Sequence, residues 1–547
     1  MRGLIMDTQL QLSRLLDYAA EYHTATEIVG LNLNGSVERL NYGMLRKRAA
    51  RLANALVDNG YGFDSRQASL SWNTVNHLEV FYGSLGIGAS LHTINPRLTD
   101  EHLIYMINQV EDELIFVDTT TLAIAERIHA QVPCVKTWIY LDEGEALPNT
   151  ELKSIQRKSD FVAGYSEEIQ WPVFDERQAA TICYTSGTTG LPKGVVQSHR
   201  GVTLSAMSMS MADGFGGYRN GALDVAMPIA PLFHTNGWQM PFTSPMNGYK
   251  LVLPGRDFSP GNLLKLIDTE KVTIAGAVPT VWMDILSHSE KTGLSLKSLR
   301  VALVAGSRPP ESLLNSFEER GIEALQMWGM TEAIASTKAT LAPGSENLSA
   351  DQIRKKRLRS QGRTTFLAEF QLRDEHGNIV AKDGKAQGQM YVRGDFVCSR
   401  YLGQDESQEV AWLDTGDIAR IDADGTIEIV DRIKDAIKSG GEWISTPILE
   451  GAAMTHPAIS QAAAIPMPHP KWQERPMLIC TLKEGESCSK QELLKHMGTQ
   501  VAKWWLPDEI IFADEIPLTG VGKINKNALR EHYLGKDSHV IPKSGDH

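Results

Sequence analysis

The chain has 547 residues, a net charge of −12, 42% hydrophobic and 22% charged residues, which is the texture of a soluble globular protein. A single core stops growing at about 250 to 300 residues, so two or more domains are required, and the acidic balance excludes a general nucleic-acid binder, which needs a basic footprint. Cys134, Cys183, Cys398, Cys480 and Cys488 are scattered without the paired short spacing of a zinc or redox motif, and they read as reduced thiols of a cytoplasmic protein.

The N-terminus meets Asp7 before any sustained apolar stretch, unlike a signal peptide, and no apolar run reaches the ~18 residues of an integral membrane segment. Asn41 is expected to cap a helix with Leu45, Ala49, Leu52, Ala53 and Leu56 on one face. From about residue 170 short apolar runs alternate with helical patterns, predicting strands over 179–184, 224–229, 251–253, 272–277, 301–305 and 323–327. Ser259 and Pro260 start a helix whose apolar face is Leu263, Leu264 and Ile267, and another helix fills 310–320 before Gly321. This alternation predicts an α/β fold with parallel-type sheets and crossover helices, in which ligands sit at the carboxyl ends of strands. The polar stretch over 343–361, with its charge run at 354–359, reads as a solvated helix or loop. After Val430 a charged stretch, 431–435, reads as a hinge, giving an N-terminal domain over 1–430 and a small mobile α+β C-terminal domain over 436–547.

The densest chemistry is YTSGTTGLPKG, from Tyr184 to Gly194. Gly187, Gly190 and Gly194 let backbone approach an anion, Thr185, Ser186, Thr188 and Thr189 offer hydroxyl donors, and Lys193 adds a point charge. That is a phosphate-holding composition, although the order is not that of a Walker loop. Three segments accompany it: QMWGMTEA at 326–333, LDTGDIARIDADGTIEIVDRIKDAIKSGGEWIS at 413–445 and LTGVGKINKNAL at 518–529. In identity and order the four together resemble the acyl-adenylate-forming enzymes, a superfamily of acyl-CoA synthetases, peptide-synthetase adenylation domains and firefly luciferase. LFHTNGWQMP at 232–241, AVPTVW at 277–282 and HPKWQERP at 469–476 are most similar to medium- and long-chain fatty acyl-CoA synthetases and methylthiopropionate-CoA ligases.

The resemblance implies that a carboxylic acid attacks the α-phosphate of ATP, giving acyl-AMP and pyrophosphate, after which the CoA thiol takes the acyl group. Adenylation gives the acid a competent leaving group, and such phosphoryl chemistry rests on positioning and charge neutralisation. By the same resemblance the 185–193 loop holds the departing phosphates, Glu332 and Thr185 hold Mg²⁺, and Thr331 meets the α-phosphate. Trp328, with Gly329 and Met330, faces adenine, the alternative for the indole being plain core packing. Asp417 and Arg432 bind ribose, or form an ordinary ion pair. Lys523 is the catalytic cation of the first step, bridging carboxylate and α-phosphate.

For the second step the resemblance implies a swing of the small domain about Lys434, bringing Lys438, Gly440, Gly441, Glu442 and Trp443 to the pantetheine of CoA, with a solvated lysine the alternative at 438. Gly306 and Ser307 lie beside adenine and the acyl pocket. His234, Trp238, Ala277, Val278 and Met330 form that pocket, a satisfied core histidine being the alternative at 234. Arg308 stands where a small residue is usual and is expected to face solvent rather than a polar group of the substrate. The acid is expected to be hydrophobic and medium-chain or related. Alternatives are a methylthiopropionate-type or branched acid, a carrier protein as acceptor, or a non-catalytic nucleotide or acyl-CoA binding module. A homodimer is implied by the relatives.

Overall fold

The computed structural model describes residues 4–185, 191–211, 221–334, 336–338, 342, 344–440, 442–519 and 523–535. Two seven-stranded sheets form the body of the larger part. One runs Glu323–Gln326, Val301–Val304, Ile274–Ala277, Val225–Pro228, Lys250–Leu253, Glu27–Leu31, Val37–Asn41. The other runs Ile155–Arg157, Thr137–Tyr140, Leu114–Val117, Arg66–Leu70, Ser90–Thr93, Ala179–Thr185, Lys193–Ser198. Each is parallel except for one antiparallel edge strand, Val37–Asn41 and Lys193–Ser198 respectively. Parallel strands need crossover helices on both faces, and the helix Val75–Gly86 is buried along its whole length.

All six strands expected after residue 170 form, within two residues of their expected ends, but the first of them belongs to a different sheet from the other five. Asn41 caps the helix Tyr42–Asp58 by accepting from the Met44 amide at 2.9 Å. Ser259 does the same for Pro260–Glu270, and Glu311–Glu319 ends just before Gly321, whose φ is +69°. The charge run forms the helix Ala350–Arg359, none of whose residues is buried. Its cations are tied down: Arg354 to Glu318, Lys356 to Asp422 and Asp424, Arg359 to Asp422.

A four-stranded antiparallel sheet follows, Ala368–Arg373, Gly388–Gly394, Leu413–Ile421 and Ile427–Arg432. A five-stranded sheet then packs with the helices Thr446–Met454, Lys490–Met497 and Lys526–Leu534, with its own apolar cores around Leu449, Leu478 and Leu493 and around Ile465 and Leu529. The architecture is thus a large N-terminal α/β part and a smaller α+β C-terminal part. Among the described residues no helix is long and apolar enough to cross a membrane.

Candidate active site

Thr185 and Lys193 face each other in antiparallel register, so they form the base of the phosphate-type loop. Ser186, Gly187, Thr188, Thr189 and Gly190 lie outside the described residues. Gly194 allows a close approach here: a Cβ on it would lie 3.1 Å from Leu402 Cβ and 3.0 Å from the Tyr184 ring. Leu402 donates its amide to the Gly194 carbonyl at 2.8 Å, which brings the loop of residues 395–412 against the end of the phosphate loop. Through this contact Tyr401 meets both Lys193, whose ammonium sits 4.9 Å from the ring centre, and Glu332, which accepts the Tyr401 hydroxyl proton at 2.9 Å.

Glu332 is 5% exposed. Burial pushes its carboxyl up, against the hydrogen bond from Tyr401 and the positive charges of Arg432 and Lys193. Thr331, also buried, lies 3.3 Å from the Thr235 hydroxyl. Trp328 packs edge-on to Phe370 with ring centres 5.4 Å apart, inside an apolar cluster with Ala333, Ala368 and Val392. Its indole N–H donates to Asp417 at 2.7 Å, so the expected adenine-facing residue is also a partner of the expected ribose-binding one. Arg432 donates from Nε to the other Asp417 oxygen at 2.9 Å. The Asp417 charge holds the Arg432 guanidinium above its ordinary value. Asp417 is therefore paired, and buried rather than on the surface.

Lys523 reaches this cluster from the C-terminal part. Gly306, at φ +92°, has no Cβ, and one placed there would lie 2.9 Å from Lys523 Cε, 3.4 Å from its Nζ and 3.0 Å from Val278 Cγ1. Lys523 thus comes beside Val278, expected to line the acyl pocket, on the side of Asp417 and Arg432. Burial, then the neighbouring charges of Arg432 and Lys434, bring its pKa down to about 8, with Asp417 opposing. His234 is pushed down to about 3 by burial and by Lys523. It is a neutral imidazole at working pH, able to hydrogen-bond or fill space but not to supply charge. Ser307 is exposed beside Gly306, Gly329 is exposed, and Met330 is half-buried in a short bridge with Ala333.

The pocket-wall residues converge behind Lys523. Ala277 ends the strand Ile274–Ala277 and Val278 follows it, both buried. Residues 235–239 run consecutively in left-handed backbone, at φ +39°, +42°, +56°, +53° and +64°, a conformation costing L-residues roughly 1–2 kcal/mol each. This turn lays the Trp238 ring over the strand, 2.9 Å from where a Gly276 Cβ would be. Trp238 there joins an apolar group of Ala226, Met240, Ile274, Leu303 and Met327. Gln239 is fully buried and, among the described residues, neither of its side-chain polar atoms has a hydrogen-bond partner, a pattern that calls for an explanation in a native structure.

The residues expected to serve the second step lie elsewhere. Lys438 lies between Glu375, at 4.0 Å, and the Trp443 ring, at 5.5 Å. Gly440, at φ +62°, is covered by Trp472, whose ring would be 2.9 Å from a Cβ. Gly441 and the Glu442 side chain lie outside the described residues. At the expected hinge, Asp431 accepts from the Thr446 amide at 2.6 Å, whereas Arg432 is held by Asp417, so adjacent residues are tied to opposite parts. The Lys434 carbonyl accepts from Arg530 at 3.1 Å, and burial lowers the Lys434 amine.

Arg308 does not face solvent as expected. It gives a proton to the Ile429 carbonyl at 3.2 Å and lies 3.5 Å from Glu428; the four-stranded sheet, unread in the sequence, supplies those partners. Tyr401 was missed altogether, since nothing near SRYLGQ distinguishes a site tyrosine from a packing one.

Residues 16–402 match the family described as AMP-binding enzyme, and residues 449–523 match its C-terminal domain. The chain is 39% identical over 97% of its length to the 3-methylmercaptopropionyl-CoA ligase of Ruegeria lacuscaerulensis, covering 99% of that protein. It is 39% identical over 97% of its length to a medium-chain-fatty-acid–CoA ligase of Ectopseudomonas oleovorans, covering 98% of it. Among solved structures, the anthranilate CoA ligase AuaEII in complex with anthranoyl-AMP superposes with a TM-score of 0.84 over 97% of this chain and 99% of that one, at 23% identity.

Proposed function

The chain belongs to the AMP-binding enzymes and is an ATP-dependent acyl-CoA ligase, and from that premise we propose that it activates a hydrophobic carboxylic acid, medium-chain or related, at the Gly306 cleft. The observation that carries this reading is the Lys523 side chain brought up to Gly306, which Val278 also approaches. There it meets the junction of an apolar acyl cluster and the Trp328, Asp417 and Arg432 group. A carboxylate entering past Trp238 and the α-phosphate of an adenosine nucleotide repel each other, and a cation between them stabilises the charge that develops as the acyl–phosphate bond forms.

Roles follow for this chain's own residues. Asp417 and Arg432 hold the ribose, with Trp328 fixing Asp417. Thr331 meets the α-phosphate, and the loop from Thr185 to Lys193 receives the leaving pyrophosphate. Glu332 and Thr185 fit a hard cation, which takes oxygen ligands, because Tyr401 engages only one Glu332 oxygen by side chain. Mg²⁺ bound there would lower the charge of the departing phosphates. His234 stays neutral and shapes the carboxylate end.

The pairing of Lys523 with the cleft, and of Lys438 with Glu375 and Trp443, supports an adenylating arrangement of an N-terminal domain over 1–430 and a C-terminal one over 436–547. A swing about Lys434 then brings Lys438, Gly440, Gly441, Glu442 and Trp443 to CoA. A homodimer is proposed from the resemblance to fatty acyl-CoA synthetases.

The test is Lys523→Ala. Carboxylate-dependent pyrophosphate exchange is lost, while thioester formation from supplied acyl-AMP and CoA persists; loss of both together overturns the alternation. A panel of acids from acetate to palmitate with aromatic, methylthio and dicarboxylic members, assayed for AMP release with and without CoA, fixes the substrate. The Ruegeria relative at 39% identity keeps a short methylthio acid as the second reading.

A further inference from the structure

Glu332 and Lys193 are both needed by a phosphate substrate, one to hold a cation and the other to meet an anion. In direct contact they would neutralise each other, the opposite charges attracting more strongly beside the buried Glu332 than in open water. Among the described residues they form no ion pair; Tyr401 contacts both, its hydroxyl on Glu332 at 2.9 Å and its ring face under the Lys193 ammonium at 4.9 Å.

Tyr401 is held there from three sides. Leu402 donates its amide to the Gly194 carbonyl at 2.8 Å, and Gln109 donates to the Leu402 carbonyl at 3.3 Å while accepting from the Tyr184 hydroxyl at 2.8 Å. From the other end, the Cys398 amide donates to the Glu332 carbonyl at 2.7 Å, and Val397 bridges Ala333. One segment, 397–402, therefore joins the strand after the phosphate-type loop to the turn that carries Glu332, and Tyr401 is the side chain in that segment that reaches both.

Resting on the reading of Glu332 as the cation-holding carboxylate, we propose that Tyr401 is a positioning residue that keeps the two charges apart and available. Its O–H donates to Oε1, the backbone amide of Glu332 itself also bonds the carboxylate, and the lone pairs left over are those offered to a cation. Its ring holds Lys193 by a cation–π contact, weak enough for the ammonium to leave for an arriving phosphate. A carboxylate partner in the same place would hold Lys193 too firmly, and an aliphatic one would not hold it.

The experiment separates the two contacts in the full-length chain. Tyr401→Phe keeps the ring and removes only the hydroxyl; Tyr401→Leu removes both. Binding is read by calorimetry with ATP in the presence of Mg²⁺ and by the paramagnetic signal of Mn²⁺ titrated against enzyme and ATP. Rates are read as AMP release at saturating acid. Tyr401→Phe is expected to weaken Mn²⁺ binding and raise the half-saturating Mg²⁺ by about tenfold, the scale of one hydrogen bond to a charged group. The KM for the acid stays unchanged, and the variant stays folded with a melting temperature lowered by no more than a few degrees, the cost of one hydrogen bond to a buried carboxylate. Tyr401→Leu is expected to add a loss of pyrophosphate affinity of about threefold that shrinks at high salt. Wild-type Mn²⁺ affinity in a folded Tyr401→Phe, or equal pyrophosphate affinity in the two variants, overturns the proposal. Wild-type enzyme releasing no AMP with any acid would instead overturn the underlying reading and leave the binding titrations to judge Tyr401.

Discussion

Two groups of charge in this molecule, each built round a buried carboxylate, Glu79 and Asp417, differ in what they leave unpaired, Arg432 being exposed and Lys523 half-buried. On the helix Val75–Gly86, Glu79 accepts from Arg48 and Lys158, each at 2.8 Å, and Asn76 and Glu38 accept further hydrogen bonds from the two cations at 2.5 to 3.1 Å. In the cleft, Asp417 and Arg432 are paired, but among the described residues the Lys523 ammonium makes neither a hydrogen bond nor an ion pair. Burying charge is expensive unless it is paired; the first cluster pairs its charges internally, and on the proposed reading the second takes an anion.

The largest expected effect breaks the incomplete cluster. Lys523→Met is predicted to lower pyrophosphate exchange by on the order of 10³-fold and yet raise the midpoint of thermal inactivation at pH 7 by about 2 °C. Burial and nearby cations depress Lys523 to about 8, below the ~10.4 of an unfolded lysine. The cost is therefore in full force below pH 8, fades as pH rises from there, and is gone above the ~10.4 of the unfolded lysine. A fall in thermal midpoint would mean that Lys523 is satisfied after all.

Next comes the complete cluster. Lys158→Ala strands Glu79 with one cation fewer and is predicted to cost about 3 kcal/mol of stability, read by urea unfolding. The kcat/KM of the surviving folded enzyme is expected to stay within about twofold of wild type. Loss of activity at full stability would put that cluster in the catalytic machinery.

A smaller effect sharpens the difference through pH. The profile of kcat/KM reports the free enzyme, so its alkaline limb is expected with a midpoint near the Lys523 value of about 8. With acid and nucleotide bound, two anions favour the ammonium, and the limb of kcat is expected to move to higher pH. Coincident limbs would show that no anion approaches the amine. His234, depressed to about 3, contributes no limb between pH 5 and 8.

These contrasts were unequally legible in the chain. The parallel strands and their helix caps follow from periodicity and from Asn41, Ser259 and Gly321, because those signals are local. The motif residues were found because they cluster in sequence, and the structure brings Thr331, Glu332, Trp328, Asp417, Arg432 and Lys523 toward one cleft. What stayed hidden depends on pairs distant in sequence. Tyr401 gains meaning only from Lys193 and Glu332, and the left-handed run over 235–239 only from the strand that Trp238 covers. Neither register nor backbone handedness of a Thr-Asn-Gly-Trp-Gln stretch is written in its composition.

Arg308 tests the same lesson at its smallest scale. Read along the chain it is a cation beside the expected acyl pocket that is expected to face solvent, a polar or second carboxylate group on the substrate being the alternative. In the fold it is neither free nor facing solvent, because Glu428, which also lies 3.6 Å from Arg420 and 3.8 Å from Arg359, and the Ile429 carbonyl occupy it. Arg308→Ala is therefore predicted to change the ratio of dicarboxylate to monocarboxylate kcat/KM by less than about twofold, because two guanidiniums still serve Glu428. Its stability cost is predicted at about 1 kcal/mol, the lost hydrogen bond to Ile429. A wild-type preference for dicarboxylates that disappears in the variant would mean that the guanidinium leaves Glu428 for the substrate. A partly satisfied cation would then have to count with Lys523 among the charges that await a ligand.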